Sequence, residues 1–314
     1  MVRKTKVTNN LLGRARALFG WCSLFLFSLL GITPFLQGWA ATPVPARGID
    51  RNALRQEQAI ERWINFRKQF KGALPSADGA RGFAFLTRLE KFPRRGQVIR
   101  RKGILYGLWT DQGLLRMEFP MTDRNQTTSV LLRNGAQPKV WRLDQVGDEP
   151  RPLNQKDLFA PLASGIDYSA FDALMPFVHW EKFSYQGSGR VIGRPAHLFA
   201  CFPPEEIKEV KPDLKYVRVA VDDTYNALLR VEFFGKRGVV ERKFSVIGFK
   251  KVQSGDDAYW IVKTIDLLDV RSRDKTRLRI EAAAVNLSLG PDIFLKENLA
   301  EGPKIPREAF VFFD

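Results

Sequence analysis

"TRLRIEAAAVNL", residues 276–287, alternates with the period of a β-strand: Leu278, Ile280, Ala282 and Ala284 fall on one side, Arg277, Arg279 and Glu281 on the other. The alanines set the problem. Buried strand faces are built from branched and aromatic residues that fit the pleat, and alanine is depleted there. Two alanines on the apolar side leave space for a closely packed element or for a guest molecule, and these two readings stand level.

The same period of two recurs on either side of this stretch. "GFAFLTRLEKF" from Gly82, "QVIRRKGILYGLWT" from Gln97, "GLLRMEFP" from Gly113 and "TSVLLRNG" from Thr128 read as successive antiparallel strands joined by short turns. The pattern resumes with "PAHLFACF" from Pro195, "YVRVAVDD" from Tyr216, "ALLRVEFFG" from Ala227, "VVERKFSVIGF" from Val239 and "YWIVKTIDLLDV" from Tyr259. Leu115, Met117 and Phe119 share one face, as do Val217, Val219 and Val221, and Leu229, Val231 and Phe233; Arg116, Glu118, Arg218, Arg230 and Glu232 lie opposite. Such strands make an antiparallel sheet with one apolar and one wet face, and a sheet of about ten strands tends to curl.

Helical spacing appears twice. In "IDRNALRQEQAIERWINFRKQF", Asp50 is placed to cap, and Ala53, Ile60, Trp63, Ile64 and Phe70 recur near a helical period. Between the two strand series, Asn154 opens "NQKDLFAPLAS", and Ser169 is placed to cap "AFDALMPFVHW", where Phe171, Leu174, Met175 and Val178 fall at i, i+3, i+4 and i+7 and Pro176 forces a kink. No flexible linker divides the strands, so residues 50–314 read as one α+β domain.

Residues 1–40 read as an export signal, with five basic residues from Arg3 to Arg16, the apolar run "ALFGWCSLFLFSLL" from Ala17, and small Gly38 and Ala40 before Ala41. An uncleaved anchor in the inner membrane is the competing reading, because the run approaches the roughly 20 residues that cross a bilayer. A proline-bearing spacer, 41–49, follows. Removing the signal lowers the net charge from +16 to +11 and leaves Cys201 as the lone cysteine, so an exported chain has no internal disulfide and is held by its core.

The residues of ordinary catalysis do not converge. His179 and His197 lack metal-ligand spacing. Ser188 in "YQGSGRVIG" lacks a nucleophile elbow and reads as part of a hairpin turn, and no βαβ unit surrounds its glycines. The pairs Asp222-Asp223, Asp256-Asp257 and Glu205-Glu206 sit at expected turns or strand ends and read as solvated. The sequons at Asn125 and Asn286 decide nothing. No enzyme activity, metal or other cofactor is expected. Two basic clusters, "RLEKFPRRGQVIRRKG" from Arg88 and "RSRDKTRLR" from Arg271, suit a wet sheet face or an anionic partner. For an exported chain an anionic membrane surface ranks ahead of nucleic acid.

The N-terminal helix together with "KGILYGLWTDQGLLRMEF…LLRNGAQPKVWRLD" resembles the LolA-like periplasmic carriers of outer-membrane lipoproteins and their relatives among outer-membrane lipoprotein-sorting proteins. Gly113, Arg116, Met117 and Glu118 match one motif strand, Asn134-Gly135 the turn after the next, and Trp141 the aromatic strand beyond it. Met117 stands where many carriers have Trp, and Gln112 where Pro is usual. The resemblance implies an incomplete β-barrel whose concave face is covered by helices over a cavity for acyl chains of lipids or lipoproteins. It implies inner- and outer-membrane proteins that load and unload the cargo. It also places at Arg116 the arginine that holds the helical lid shut, although alternation puts that residue on the wet face. On this reading Leu115, Met117, Phe119, Leu229, Val231, Phe233, Leu278 and Ile280 line the sheet side and Phe171, Leu174 and Met175 the lid. An envelope sensor or adaptor with the same fold is the alternative.

Overall fold

The computed structural model describes residues 53–70, 81–109, 113–120, 127–135 and 137–313. The expected export segment, the spacer and Asp50 lie outside them. A helix, α1 (Gln56–Phe70), precedes strands β1 (Arg81–Phe92), β2 (Ile99–Trp109), β3 (Leu114–Pro120), β4 (Thr127–Arg133), β5 (Lys139–Leu143) and β6 (Arg151–Pro152). A crossover then carries a 3-10 turn (Asp157–Phe159), the short helix α2 (Ala170–Leu174) and a second 3-10 turn (Pro176–His179). Strands β7 (Phe183–Val191) and β8 (Arg194–Cys201), helix α3 (Glu205–Val210), and strands β9 (Leu214–Asp222), β10 (Leu228–Gly235), β11 (Val240–Ser254), β12 (Asp257–Asp269) and β13 (Lys275–Leu287) follow, and β14 (Val311–Phe312) ends the chain. Among the described residues the strands number fourteen, where the sequence suggested about ten. The excess comes partly from two-residue pairings such as β6 and β14, too short to leave a periodic signature.

All fourteen belong to one antiparallel sheet in the order β6-β5-β4-β3-β2-β1-β13-β12-β11-β10-β9-β8-β7, with β14 added to β13. The chain runs outward from the middle to the β6 edge, crosses to the β7 edge, and returns strand by strand until β13 pairs with β1. The crossover is thus the connection between the two free edges, and α1, α2 and the 3-10 turns pack on the inner face.

Helix α1 buries Ala59, Trp63 and Phe66, at i, i+4 and i+7. The stripe differs from the one expected: Ile60 and Ile64 are exposed, because Trp63 rather than either isoleucine points at the sheet. Trp63 stacks on Phe66 at 5.2 Å and on Phe199 at 4.9 Å. Arg67 lies 5.5 Å from the Trp63 and Phe183 rings and donates to the carbonyls of Val178, at 2.6 Å, and Trp180, joining helix to crossover; burial lowers its pKa. At the other end Arg62 donates to the Asp222 and Asp223 carbonyls, and the Tyr185 hydroxyl accepts from Leu54 N. His197 is buried between Tyr185, at 3.0 Å, and Asp223, at 2.7 Å, so it orders this corner. Burial pushes the Cys201 thiol up to about 12, which makes it a packing residue.

Three local readings change. Ser188 lies within β7, not in a turn; the hairpin turns at Ile192-Gly193, where both residues have positive φ. Asp222 is buried and not solvated: it accepts from Arg194 Nε and from the backbone N–H groups of Thr224 and Tyr225. The third concerns the alanines. Thr87 pairs with Ile280 but Leu86 with Ala282, so Glu281 is an extra residue and the strand changes face there. Ala283 and Val285 join Leu278 and Ile280 in the inner core, whereas Ala284 belongs to a second cluster on the outer face. Ala282, paired with Leu86 beside Ala283 and its partner Phe85, follows Ala284 outward. The close-packed reading is the one the fold adopts, on the face opposite to that expected.

The element packed there is the C-terminal segment, which straps the outer face of β1 to β5. Phe294 and Leu299 are buried against Ala84, Tyr106, Leu114, Leu131 and Ala284, and Phe313 N donates to the Glu281 carbonyl at 2.8 Å. Arg116 fastens it. This side chain is fully buried and donates to the carbonyls of Ile293 (3.0 Å), Asn298 (2.9 Å), Leu299 (3.1 Å) and Glu301 (2.8 Å), and to Glu118 at 2.9 Å. Burial raises the pKa of Glu118 against the pull of Arg116, and burial likewise raises that of Tyr106, whose hydroxyl donates to the Pro303 carbonyl. Gly302 is required here, since a Cβ would come 2.8 Å from a Glu118 carboxylate oxygen. Arg116 therefore faces neither lid nor solvent. Replacing it with Ala strands a carboxylate and four carbonyls, an expected loss of about 3–5 kcal/mol. Lys, lacking the planar fork, should recover only part of it. Chemical denaturation of the three forms measures this; a loss within ~0.5 kcal/mol would contradict the assigned role.

Candidate functional site

The crossover begins at Leu153, whose N–H donates to Val140 O, and Asn154 Oδ1 accepts from Asp157 N to start the first 3-10 turn. Ser169 then caps α2. Its hydroxyl accepts from Asp172 N at 3.2 Å, while Asp172 Oδ2 accepts from Ser169 N at 2.9 Å and from Ser169 Oγ at 2.6 Å, a reciprocal capping box. Pro176 stops the helix after five residues. The residue before a proline is disfavoured in the right-handed helical region, and Met175 turns left-handed at φ 47°. Asn134 of the Asn-Gly turn after β4 holds that strained end, donating from Nδ2 to the Leu174 carbonyl at 2.9 Å. The motif dipeptide thus fastens the lid as well as turning the chain.

The start of the lid is held by Arg242 of β11. Its Nη1 donates to Asp172 Oδ1 and its Nη2 reaches Asp172 Oδ2, each at 3.0 Å, and Nη2 also donates to the Asp167 carbonyl at 2.5 Å. Asp172 is fully buried while Arg242 is partly open to solvent. Arg242, on the other half of the sheet, and not Arg116, is bonded to this covering segment.

Beside this latch lies a cavity of about 430 Å³, of the size common for small-ligand sites (roughly 300–1,000 Å³). Phe159 and Phe171, stacked at 4.4 Å, with Phe233, Leu214 and Leu267 form its apolar lining; Ser169, Arg242, Asp167, Asp213, Glu241, Asp269, Asp274 and Lys211 stand around it. Most of these acids are engaged. Asp167 and Asp274 both approach Lys91 Nζ, which they raise in pKa through hydrogen bonding first, and Asp213 meets Lys236. Thr276 also lines the cavity. Its Oγ1 is buried and has no hydrogen-bond partner among the described residues.

Of the residues expected to line a binding cavity, Phe171 and Phe233 line this one. Leu115, Met117, Phe119, Val231, Leu278 and Ile280 from the sheet, and Leu174 and Met175 from the lid, are buried together in the inner core but are not part of its wall. Leu229 is on the other face. Leu228 pairs with Val221 and Arg230 with Ala220, so a bulge at Leu229 turns it outward to Val191, Ala196 and Ala220, and Leu228 takes the inner place. Phe159, Leu214, Leu267, Thr276 and Arg242 were not expected. Phe159 and Leu267 belonged to apolar periodic stretches, but the Arg242–Asp172 pair spans 70 residues and leaves no local trace.

No family model matches the sequence, and no curated protein matches it. Solved structures do. A DUF1329 family protein from Desulfovibrio piger superposes with a TM-score of 0.62 at 14% identity, over 78% of this chain and 98% of that one. A putative outer membrane lipoprotein-sorting protein domain from Vibrio parahaemolyticus gives 0.60 at 15%, over 78% and 98%. A LolA superfamily protein from Nitrosomonas europaea gives 0.52 at 11%, over 79% and 100%. The chain has the fold of the LolA-like proteins, as the motif residues around Arg116 and Asn134 suggested.

If Arg242 latches the lid, Arg242→Ala leaves the Asp172 carboxylate buried without its partner, at a cost of about 3 kcal/mol. Limited trypsin digestion in the crossover, at Lys156 or Lys182, should accelerate while the rest of the sheet stays resistant. Unchanged digestion would mean that the pair does not govern the lid.

Proposed function

We propose that this chain is a non-enzymatic carrier of the bacterial envelope, which binds acyl chains of lipids or lipoproteins between sheet and lid and moves them towards the outer membrane. The observation that carries the reading is the cavity with three aromatic rings in its wall, beside a crossover that the partly exposed Arg242–Asp172 pair helps to hold. A hydrocarbon tail needs such a shelter: each buried CH₂ gains roughly 0.8 kcal/mol, so a sixteen-carbon chain free in water costs on the order of 12 kcal/mol. A cavity of this size holds part of such a cargo. Opening the lid would add the apolar surface of Phe171, Leu174, Met175 and the sheet residues behind them, and a latch made of charge can be exchanged for water at modest cost.

Export by residues 1–40 would put the carrier in the periplasm, in one domain from residue 50 onward, and membrane proteins would load and unload it. Among the described residues no helix is long and apolar enough to cross a membrane.

Native mass spectrometry of the protein taken from its own envelope, paired with titration of a fluorescent fatty-acid probe, tests the proposal. Retained lipid, or probe uptake that Arg242→Ala speeds, is the expected result. Neither retained lipid nor probe binding would overturn it.

A further inference from the structure

Two basic turns lie side by side at the cavity's end of the sheet. Phe92 at the end of β1 pairs with Lys275 at the start of β13, so the β1–β2 turn and the β12–β13 turn are neighbours, and Arg94 N donates to Asp274 Oδ1 at 2.9 Å to join them. The first turn and the strand after it carry Arg94, Arg95, Arg101 and Lys102; the second carries Arg271 and Arg273. Among the described residues none of these six side chains has an ion-pair partner. The neighbouring acids are engaged with other groups: Asp274 and Asp167 with Lys91, Asp269 with Ser272 N, and Glu90 with Arg100. Each turn also exposes a valine, Val98 and Val270. The turn's Asp274 and the strand residues flanking it, Asp269 of β12 and Thr276 of β13, line the cavity, and the crossover passes the same end, where Gly165 lies against Ile99.

We infer that this arginine-bearing end docks on an anionic lipid bilayer, setting the cavity beside the phosphate layer. Guanidinium groups on short turns suit a plane of phosphates, each basic residue near such a surface adding roughly 1 kcal/mol, and the two valines sit where shallow insertion would place them. A flat array of lipid phosphates fits the charge better than one small anion, because the exposed arginines are spread over two turns and none of them lines the cavity. The inference rests on the carrier reading for its purpose but not for its test.

Co-sedimentation with vesicles of phosphatidylcholine alone, and of phosphatidylcholine mixed with phosphatidylglycerol, measures the docking. The wild type should bind the mixed vesicles, lose them as salt rises, and ignore the neutral ones. Reversing Arg94, Arg95, Arg271 and Arg273 to Glu should weaken binding by roughly a hundredfold or more. Reversing Lys139, Lys250, Lys251 and Lys304, exposed elsewhere and equal in charge change, should weaken it far less. Equal losses in the two variants, or no preference for phosphatidylglycerol, would overturn the inference. Binding of the wild type to the fatty-acid probe, read in parallel, separates the two proposals: probe uptake by a wild type that does not dock on the mixed vesicles sinks this one and leaves the carrier standing.

Discussion

The chain must travel from one free edge of its sheet to the other, and everything about the site follows from that crossing. Because β1 to β6 are laid down outward and β7 to β13 inward, residues 153–182 have to bridge the side on which a barrel would otherwise close. A segment in that position lies on the inner face, where it needs apolar side chains towards the sheet and its own backbone polar groups satisfied. Ser169, Asp172 and Asn134 meet the second need, and Phe171, Leu174, Met175 and Phe177 the first. Closing a loop of this length carries an entropic cost that grows only slowly with its size, so a few side-chain bonds suffice to hold the crossing in place.

Two buried arginine contacts divide the labour between the faces. Arg116 makes five donations and has no solvent exposure, which suits a fixture that never opens. Arg242 binds one carboxylate and one carbonyl and keeps contact with water, which suits a part that moves. The strap under Arg116 packs across the outer face of β1 to β5. On the proposed carrier reading the cover must open while the sheet stays folded, since the cargo must leave without unfolding its container.

Much of this was legible in the residues. Strand periodicity found the sheet, Ser169 and Pro176 bounded the lid, and the stretch from Gly113 to Trp141 pointed to the fold that the solved structures share. What failed did so for identifiable reasons. Alternation assigns a face only until a bulge intervenes, and one extra residue at Glu281 and another at Leu229 sent Ala282, Ala284 and Leu229 outward. Charge was taken for exposure at Arg116 and Asp222, although a guanidinium or carboxylate with enough partners can be wholly buried. "PDIFLKENLAEGPKIPREAF" has no regular period, so the strap was invisible, yet its buried Phe294 and Leu299 explain why β3 hides both faces. Long-range pairs such as Arg242 with Asp172 exist only once the sheet has formed.

The central claim is that the lid opens while the sheet stays folded. Native-state hydrogen exchange read at the amides of Ala173 and Met175 in the lid, and of Leu278 and Ile280 in β13, measures it most directly. The lid amides should exchange through a local opening of lower free energy and weaker denaturant dependence than the strand amides. Lid and strand amides exchanging together, only through global unfolding, would contradict the account.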